Sequence, residues 1–563
     1  MGFVKNFDRT LIIILLLISL LGGGAFFWLY NKQKNLERLI PAFCSENQGE
    51  LKKTEQIVET VVRKTSQWGA LQPKIKDAIV QIFSQIAEFN WLQPYQTPGQ
   101  SIATGTGFFI DDQSHFITNA HVVNQAKAIT IQIPSLGKEQ FEAEVVGICY
   151  DRDLALLKLK ADDFARVKES LGKINYLQIG NSDAVHRAEE VMYQGFPLGQ
   201  QGLKSTVGVV SGRENMLGRQ YIQIDAATNP GCSGGPALNL NGEVVGVLNS
   251  GIPVAQNVGY IIPANELKVV LKDLYHSSDP LVRRPFLGVF YTASSPELAT
   301  FLKNPVDGGV YVVDVFKDSV LEMAGILPGD MIYEINGYRI DTYGEISVPW
   351  AEDRIALTEY TSYLTIGHDV NLVVYRQGQP RLMNFKFVQS KMLPIRVMYP
   401  DYEVIDYEII GGFVVMELTL NHVILLEKMV DDLVRFKNPK NQSKSRLIIT
   451  HIFPASAAQR SRVFHPGNII KEVNQEKVFT LEDFRRALRK GAKNEALTIR
   501  TSQGIFAALS MNRILKQEPN LSAIYRYQIT PTVQELIKSH ASQKLLVSNA
   551  DNIAVNSEVA EVG

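Results

Sequence analysis

Short apolar runs separated by glycine, asparagine, aspartate and proline fill the chain from Gly105 to about Leu274. An alternating run at Asp77–Phe83 is predicted to be the first strand of the same domain. Closely spaced short strands with turn residues between them are typical of sandwiches and barrels. The pattern predicts a mainly β fold, here a double β-barrel, with strands that include Ile129–Ile133, Glu144–Ile148, Val191–Gly195, Val207–Ser211 and Tyr221–Ile224.

A repeat follows the predicted barrels. In its first copy, an apolar run at Gly309–Val313 precedes Ala324–Ile332, which ends in a Pro-Gly turn and a further strand. About 140 residues later, Leu447–Thr450 precedes His465–Ile470 in the same order. Internal similarity at such a separation indicates two related structural units. Each copy is predicted to be a small α+β domain with a short helix between strands.

The N-terminal segment has a different pattern, since Leu11–Tyr30 is an almost unbroken apolar run. A run of about 20 apolar residues is long enough to cross a bilayer as a helix. A cleaved signal peptide is the alternative, because Gly23 and Ala25 are suitable small residues for a cleavage site. The aromatic extension at Phe26–Tyr30 favours an uncleaved anchor. Basic residues flank the run on both sides and leave its orientation open.

Length, charge and cysteine content narrow the classes of function. A chain of 563 residues is too long for one core and is expected to form three or four domains. The 57 basic and 58 acidic residues balance, which gives no sign of a nucleic-acid partner. Neither the cysteines Cys44, Cys149 and Cys232 nor the histidines have metal-ligand spacing, so no metal, cofactor or disulfide framework is predicted.

The strongest candidate for chemistry is Ser233, within Asp225–Pro236. Glycine stands two residues before it and at both positions after it, so the backbone there can approach a bound carbonyl closely. In such a turn the N–H groups of Gly231 and Ser233 can both point at a developing oxyanion. A plain glycine turn between strands and the nucleophile elbow of an α/β-hydrolase are alternatives for this segment alone.

Two upstream segments decide between these alternatives. His121 lies in Thr118–Val123, after a strand-like run, and Asp153 opens the strand-like run Asp153–Leu157. The order His, Asp, Ser is that of chymotrypsin-type proteases, whereas α/β-hydrolases have the order Ser, Asp, His. The sequence therefore predicts a catalytic triad of His121, Asp153 and Ser233.

These segments resemble the trypsin-like HtrA/Deg (protease Do) serine endoproteases. The shared motifs are Gly105–Phe108, Thr118–Val123, Asp153–Lys158 and Gly231–Pro236, and the resemblance covers about residues 75–515. Phe89–Gln96 resembles the entry segment of the plant-type Deg branch. Cys232 and Thr228 depart from the usual Asn and Ile beside the nucleophile.

The resemblance implies acyl transfer on polypeptides, preferably unfolded ones, by a periplasmic quality-control enzyme that forms a trimer or a higher homo-oligomer. It identifies the repeat as two PDZ domains, which bind C-terminal peptides at a sheet edge. Phe286, Leu287, Gly288 and Val289 match the carboxylate-binding loop of the first. In the second, Gly411–Val414 is the nearest match, and packing against a neighbour is as good an interpretation as peptide binding.

The resemblance also places Asn257–Pro263 as the closing strand beside the primary specificity pocket. Leu248 and Ile252 are expected near that pocket and favour small or medium apolar side chains. The short loop between Ile110 and Phe116 argues against a large cage. The predicted domains are a tail (1–9), a membrane anchor (10–30), a helical spacer (31–74), the protease (75–276), PDZ 1 (277–395), a PDZ-like unit (396–515) and a C-terminal extension (516–563).

Two other functions stay open on the sequence. One is a membrane-tethered regulatory protease that cleaves a specific partner after its PDZ domain binds a C-terminus. The other is a non-proteolytic chaperone or scaffold, against which the intact triad argues.

Overall fold

The structure is a computed structural model that describes residues 67–216, 219–249, 257–276, 279–305 and 308–540. The predicted tail, the predicted membrane anchor and most of the predicted spacer lie outside these ranges, as do Cys44 and Ile252. Within the described ranges, no helix combines the length and the apolar character needed to cross a bilayer.

The first barrel closes from six antiparallel strands in the order β1-β2-β3-β6-β5-β4. Its first strand begins at Ile79, two residues later than predicted, and continues to Glu88 because every one of its residues pairs with β2. Alternate positions fill the interior, where Val80, Ile82 and Phe109 are buried. The strands are β1 (Ile79–Glu88), β2 (Gly99–Phe109), β3 (His115–Thr118), β4 (Ala126–Gln132), β5 (Phe141–Cys149) and β6 (Leu154–Leu159).

The second barrel closes in the order β10-β11-β12-β9-β8-β7. Helix α1 (Ala161–Leu171) comes between the two barrels in the chain, and α2 (Ala264–His276) follows the second. Strand β8 is longer than predicted because its ladder with β9 continues to the Met216–Arg219 pair. The strands are β7 (Glu190–Gly195), β8 (Lys204–Met216), β9 (Arg219–Ile224), β10 (Pro236–Leu238), β11 (Val244–Leu248) and β12 (Gly259–Pro263). The predicted mainly β, double-barrel fold is confirmed.

A third sheet, here the middle sheet, has the order β13-β14-β15-β19-β20, and β13 is its edge strand. β16 pairs with β15, and β17 and β18 form a separate ribbon. Its strands are β13 (Val289–Ala293), β14 (Val310–Val315), β15 (Met331–Ile335), β16 (Tyr338–Arg339), β17 (Glu345–Ile346), β18 (Ile355–Ala356), β19 (Asp369–Arg376) and β20 (Gln379–Lys386). Its helices are α3 (Pro296–Phe301), α4 (Val320–Met323) and α5 (Leu357–Tyr360).

The last sheet, here the distal sheet, has the order β21-β22-β23-β24-β26-β27, with β25 paired to β24. Its strands are β21 (Tyr407–Ile410), β22 (Phe413–Glu417), β23 (Leu447–Ile452), β24 (Ile469–Val473), β25 (Glu476–Lys477), β26 (Ala496–Thr501) and β27 (Phe506–Ser510). Its helices are α6 (Leu420–Leu426), α7 (Ala457–Ser461), α8 (Leu481–Lys490) and α9 (Met511–Tyr525). The two copies of the predicted repeat fall on matching elements, β14-α4-β15 and β23-α7-β24.

The two sheets differ at the edge where a peptide would bind. In the distal sheet, β21 pairs antiparallel with the whole of β22 except its last residue. Gly411 and Gly412, with φ of 61° and 92°, form the two-residue turn between these strands. Turns with positive φ at both central residues suit tight hairpins. The segment Gly411–Val414 therefore comprises a hairpin turn and the start of β22. The edge of β22 that a peptide would use is already paired with β21.

The C-terminal region joins the distal core. Met511, Ile514 and Leu515 of α9 are buried there together with Val533 and Leu536. Glu518 of the same helix is fully buried and accepts hydrogen bonds from Gly411 N and Tyr527 Oη. Part of the predicted extension beyond residue 515 is thus integral to the distal unit.

Candidate active site

His121 and Asp153 are joined by two hydrogen bonds. Asp153 Oδ2 lies 2.8 Å from His121 Nδ1, and Asp153 Oδ1 accepts from His121 N at 2.9 Å. The backbone around the carboxylate is fixed as well, since Asn119 Nδ2 donates to Asp153 O at 2.9 Å. The His121 side chain is 45% exposed and that of Asp153 is 12% exposed. The imidazole can therefore meet a substrate, while the carboxylate behind it is shielded from water.

Ser233 belongs to the other barrel, at the turn that leads into β10. It is 6% exposed, and its carbonyl oxygen accepts from Thr106 N of β2 at 2.9 Å. Among the described residues, no hydrogen bond joins Ser233 Oγ to His121. Catalytic hydrogen bonds in unliganded enzymes are often long and shorten only when substrate binds. His121 lies in the 3-10 helix Ala120–Val122 and Asp153 in a turn of the first barrel, which the Ser233 turn contacts through Thr106.

Thr106 fastens the two barrels together at this point. Its Oγ1 donates to Gly231 O at 2.7 Å and accepts from Phe196 N at 3.2 Å. Both partners lie beside Ser233, so one buried hydroxyl sets the position of β2 against the turn that carries this serine. The role of Thr106 was not predicted, although the Gly105–Phe108 motif that contains it was.

Two glycines allow the close approach. Gly234 has φ of 86°, and a Cβ there would lie 2.2 Å from both Thr106 O and Thr118 Oγ1. Gly231 has φ of 95°, and a Cβ there would lie 2.4 Å from Phe196 O. Side chains are excluded at both positions by backbone conformation and by space.

The backbone N–H groups of Gly231 and Ser233 are available as donors. Neither has an acceptor within the part of the chain that the structure describes. Neighbouring N–H groups in the same turn are used, since Cys232 N donates to Asn229 O and Gly235 N to Cys232 O. A pair of unused N–H groups flanking a nucleophile is the arrangement that stabilises an oxyanion.

The comparisons with known proteins agree with this geometry. A model of the trypsin-like peptidase domain matches residues 105–247. A probable periplasmic serine endoprotease, DegP-like, from Chlamydia trachomatis is 31% identical over 73% of this chain and 74% of its own length. The periplasmic pH-dependent serine endoprotease DegQ of Escherichia coli is 30% identical over 58% and 67%, respectively. The chain belongs to the HtrA/Deg family of serine endoproteases. It is a serine-type endopeptidase.

In this HtrA/Deg protease, Cys232 faces away from the site. Its side chain is 2% exposed and packs in the core of the second barrel with Val191 and Tyr193. Burial raises the pKa of the Cys232 thiol to about 11, so the thiol is protonated at neutral pH. Cys232 is therefore a core residue and a poor candidate for the nucleophile.

Thr228, the other departure from the family motif, lies near the start of β12. Its Oγ1 is shielded from solvent and has no hydrogen-bond partner among the described residues. A Cβ on Gly259 would lie 2.6 Å from Thr228 Cγ2, so the two segments are in close contact. Thr228 thus places a buried, unpartnered hydroxyl beside the start of β12.

The predicted carboxylate loop of the middle sheet precedes its edge strand. Gly288 has φ of 79°, and a Cβ there would lie 2.1 Å from Ser319 Cβ. The N–H groups of Leu287 and Gly288 have no acceptor among the described residues. Beside the loop lies a cavity of about 510 Å³ whose lining includes Phe286–Val289, Thr358 and the arginines Arg219, Arg283, Arg284 and Arg396.

Proposed function

We propose that this HtrA/Deg protease cleaves peptide bonds by acyl transfer through a triad of His121, Asp153 and Ser233. The observation that carries the proposal is the double hydrogen bond between His121 and Asp153. It holds Nδ1 against a shielded carboxylate and leaves Nε2 as the proton acceptor. A carboxylate in that position fixes the tautomer that a general base needs.

In the proposed reaction, Ser233 Oγ attacks the scissile carbonyl carbon while His121 Nε2 takes the hydroxyl proton. The imidazolium is stabilised by Asp153, and it returns the proton to the leaving amine. The N–H groups of Gly231 and Ser233 bind the oxyanion of the tetrahedral intermediate. Water then repeats the sequence on the acyl-enzyme and releases the new carboxyl terminus.

We further propose that the middle sheet is a PDZ domain that binds peptides with a free C-terminus. The peptide would extend the sheet at β13, and its terminal carboxylate would accept from the N–H groups of Leu287 and Gly288. The arginines around the cavity add positive charge that suits a carboxylate. Bound peptide is proposed to raise proteolysis, because the cavity also touches protease residues.

The biological setting follows from the relatives. DegP-like and DegQ relatives are named periplasmic, which supports a periplasmic protease that acts on misfolded or damaged polypeptides. The N-terminal apolar segment is proposed to hold it at the inner membrane, and homotrimers or larger homo-oligomers are proposed as its assembly. We also propose that the specificity pocket prefers substrates with small or medium apolar side chains. The resemblance of Phe89–Gln96 to the plant-type Deg branch stays a proposal as well.

An Asp153→Asn variant tests the triad. It preserves the shape of the site but disfavours the required tautomer, so kcat is expected to fall by about four orders of magnitude. Asp162→Asn, on an exposed position of α1, is the matched control and should keep wild-type turnover of denatured casein. Turnover by Asp153→Asn within tenfold of wild type would rule out this mechanism.

Peptide regulation has a separate test. Peptides with apolar C-termini are titrated against casein hydrolysis, with the same peptides amidated at the C-terminus as controls. Free acids are expected to raise the rate more than amides, because only they supply the carboxylate. Equal rates at all concentrations of both would leave the middle sheet without a regulatory role.

A further inference from the structure

The turn that carries Asp153 is in an unusual conformation. We call Tyr150–Asp153 the aspartate turn, since Asp153 N donates to Tyr150 O at 3.1 Å. Asp153 itself has φ of 53°, in the left-handed region. A residue with a side chain keeps that conformation only where its surroundings hold it there. The contacts of the aspartate turn therefore bear on the position of the catalytic carboxylate.

Arg152, the residue before Asp153, does not reach solvent. Its side chain is 6% exposed, and it forms an ion pair with Glu266 of α2. Its Nη2 also donates to Ser362 O, at 2.5 Å. Ser362 lies in a 3-10 helix at Thr361–Tyr363, which directly follows α5 of the middle sheet. Burial lowers the pKa of Arg152 to about 10, which leaves it charged at neutral pH.

Arg152, Glu266 and Ser362 are joined to one another. Ser362 Oγ donates to Glu266 Oε1 at 2.7 Å, so the carboxylate is shared between the arginine and the serine. Ser362 is 2% exposed and Glu266 is 5% exposed. Removing one partner of such a buried charge pair leaves the other uncompensated, which is strongly unfavourable. Loss of the contact between the aspartate turn and the middle sheet would therefore lower the stability of the folded protein.

The segment that presents Ser362 O is itself fixed to the second barrel. Glu359 of α5 accepts from Asn215 Nδ2 at 3.0 Å and also from Gln220 Nε2. The hydroxyl of Tyr363 donates to Gln220 Oε1. These bonds join α5 and the 3-10 helix to the β8–β9 hairpin. These bonds therefore fix the position of Ser362 O, which accepts from Arg152, when the middle sheet is packed against the second barrel.

The other residues of the aspartate turn also contact chain beyond the protease. Asp151 Oδ2 accepts from Arg284 N, at 2.9 Å, in the connection to the middle sheet. The ring of Tyr150 stacks on Tyr399, with centroids 3.9 Å apart and planes at 6°. Tyr399 lies between the middle and distal sheets. All three residues that precede Asp153 therefore contact segments that come after the barrels in the sequence.

We propose that Arg152 is a positioning residue that makes the geometry of Asp153 depend on docking of the middle sheet. With Ser362 O in place, the buried guanidinium holds the aspartate turn in its left-handed form and the carboxylate faces His121. Without that contact, the turn relaxes and the hydrogen bond to Nδ1 is lost. This inference rests on the proposed triad, because it assigns Asp153 its catalytic part.

The same arrangement connects the peptide cavity to the triad. Asp151 lines the cavity beside Gly288, and Thr358 of α5 lines it as well. A peptide bound there touches both the aspartate turn and the docked segment. It can favour one arrangement of the two only by binding that arrangement more tightly. In this proposal, the contacts of Arg152 transmit the effect of bound peptide to the conformation of Asp153.

The test needs variants that remove the link and still fold. Arg152→Met alone leaves Glu266 unpaired and buried, so it is expected to lower the melting temperature. In the double variant Arg152→Met/Glu266→Gln, both charges are removed, and replacement of a buried ion pair by neutral groups is often tolerated. The amide oxygen introduced by Glu266→Gln can still accept from Ser362 Oγ, whereas the bond to Ser362 O is lost.

Arg187→Ala is the matched control for the loss of an exposed ion pair between the second barrel and the segment that precedes β18. Arg187 lies on the second barrel and pairs with Glu352 and Asp353 of the middle unit, with half of its side chain exposed. Its removal takes exposed contacts from the same interface and leaves the contacts of Arg152 with Glu266 and Ser362 in place. Arg152→Lys is the conservative comparison, because lysine keeps the charge but lacks the fork that serves two partners.

Two readouts separate positioning from general structural damage. The first is kcat and KM on a short chromogenic peptide, with melting temperature measured in parallel. The second is the downfield proton resonance of the His121 Nδ1–H that bonds to Asp153. For the folded double variant, kcat is expected to fall about tenfold or more with KM unchanged, since a misplacement of about 1 Å can cost about 100-fold. The resonance should weaken or shift.

Arg152→Lys should lie between the double variant and wild type, and Arg187→Ala should keep wild-type kcat and resonance. A folded double variant with full kcat and an unchanged resonance would overturn the inference. If Asp153→Asn kept its activity, the proposed triad would be wrong instead. Loss of activity in Arg187→Ala to the same degree would also overturn the inference, because removal of an ion pair that does not touch the aspartate turn would then have the same effect.

Discussion

Ile409 pairs with Val414 across the antiparallel ladder of β21 and β22. The edge that β13 leaves open in the middle sheet is therefore occupied in the distal sheet by the chain's own preceding strand. A peptide could add there only after β21 had left a ladder in which Ile409, Ile410 and Glu408 are fully buried. The two sheets of the repeat are thus unequal as peptide receptors.

We expect C-terminal peptides to bind the middle sheet alone. Gly288→Val places a side chain against Ser319, so it should abolish the fluorescence polarisation signal of a labelled peptide. Because a Cβ at Gly288 would lie 2.1 Å from Ser319 Cβ, the melting temperature is expected to fall. Unchanged hydrolysis of a short peptide substrate is the control that shows that the protease barrels remain folded. Residual binding with wild-type affinity would mean that the distal sheet binds peptide despite β21.

Ser233 and Cys232 should respond in opposite ways to substitution. Ser233→Ala removes the attacking hydroxyl and should abolish hydrolysis, with no change in peptide binding to the middle sheet. Cys232→Ala removes a buried, protonated thiol from a core, so activity should persist and melting temperature should fall modestly. Labelling by a fluorophosphonate, read by mass spectrometry, should occur on Ser233 in the Cys232 variant. Labelling of Cys232 in the Ser233 variant would contradict this assignment.

Thr106 should contribute to the reaction through its hydroxyl. Thr106→Val keeps the shape but leaves Gly231 O and Phe196 N without their partner, at a cost of about 1–3 kcal/mol for each buried group. We expect lower kcat and lower melting temperature. Thr106→Ser, which keeps the hydroxyl, is the comparison and should lie close to wild type. Equal losses in both variants would assign the effect to the methyl group and its packing.

The folded protein should lose stability in acid because of His422, whose ring lies against Trp91. His422 is fully buried, its Nε2 lies 3.2 Å from Trp91 O, and its Nδ1 accepts from Thr419 N. Burial lowers the pKa of His422 to about 4, so the folded imidazole is neutral. The unfolded state binds a proton near the ordinary value of 6.5, which favours unfolding as pH falls.

Above about pH 6.5 His422 is neutral in both states, and between about pH 6.5 and pH 4 protonation of the unfolded state destabilises the folded protein progressively. This loss of unfolding free energy reaches roughly 3 kcal/mol near pH 4, at about 1.4 kcal/mol for each pH unit. Melting temperature is measured from about pH 7 to about pH 4.5 for wild type and His422→Gln, a range that spans most of this titration. The difference between the two should shrink as pH falls. A constant difference would exclude His422 as the titrating group.

The local sequence pattern by itself predicts much of the fold and the class of chemistry. The alternation of short apolar runs is enough to predict two barrels, because each strand buries one face and turns follow at regular intervals. The order of His121, Asp153 and Ser233 identifies the class of chemistry. The similarity of Gly309–Val313 and Leu447–Thr450 correctly anticipates two related sheets. These features depend on residues near one another in the chain.

The tertiary structure decided the rest. Thr106 meets Gly231, and Arg152 meets Ser362, over separations of 125 and 210 residues. The hydrophobic periodicity around Thr106 and Arg152 does not indicate their partners, because these contacts form only when separate domains pack together. The pairing of β21 along the edge of β22 is also not predictable from the sequence. Gly411 and Gly412 suit a peptide-binding loop and a hairpin turn equally well. Only the packing of β21 on β22 distinguishes the two, because it uses the backbone groups that a peptide would otherwise need.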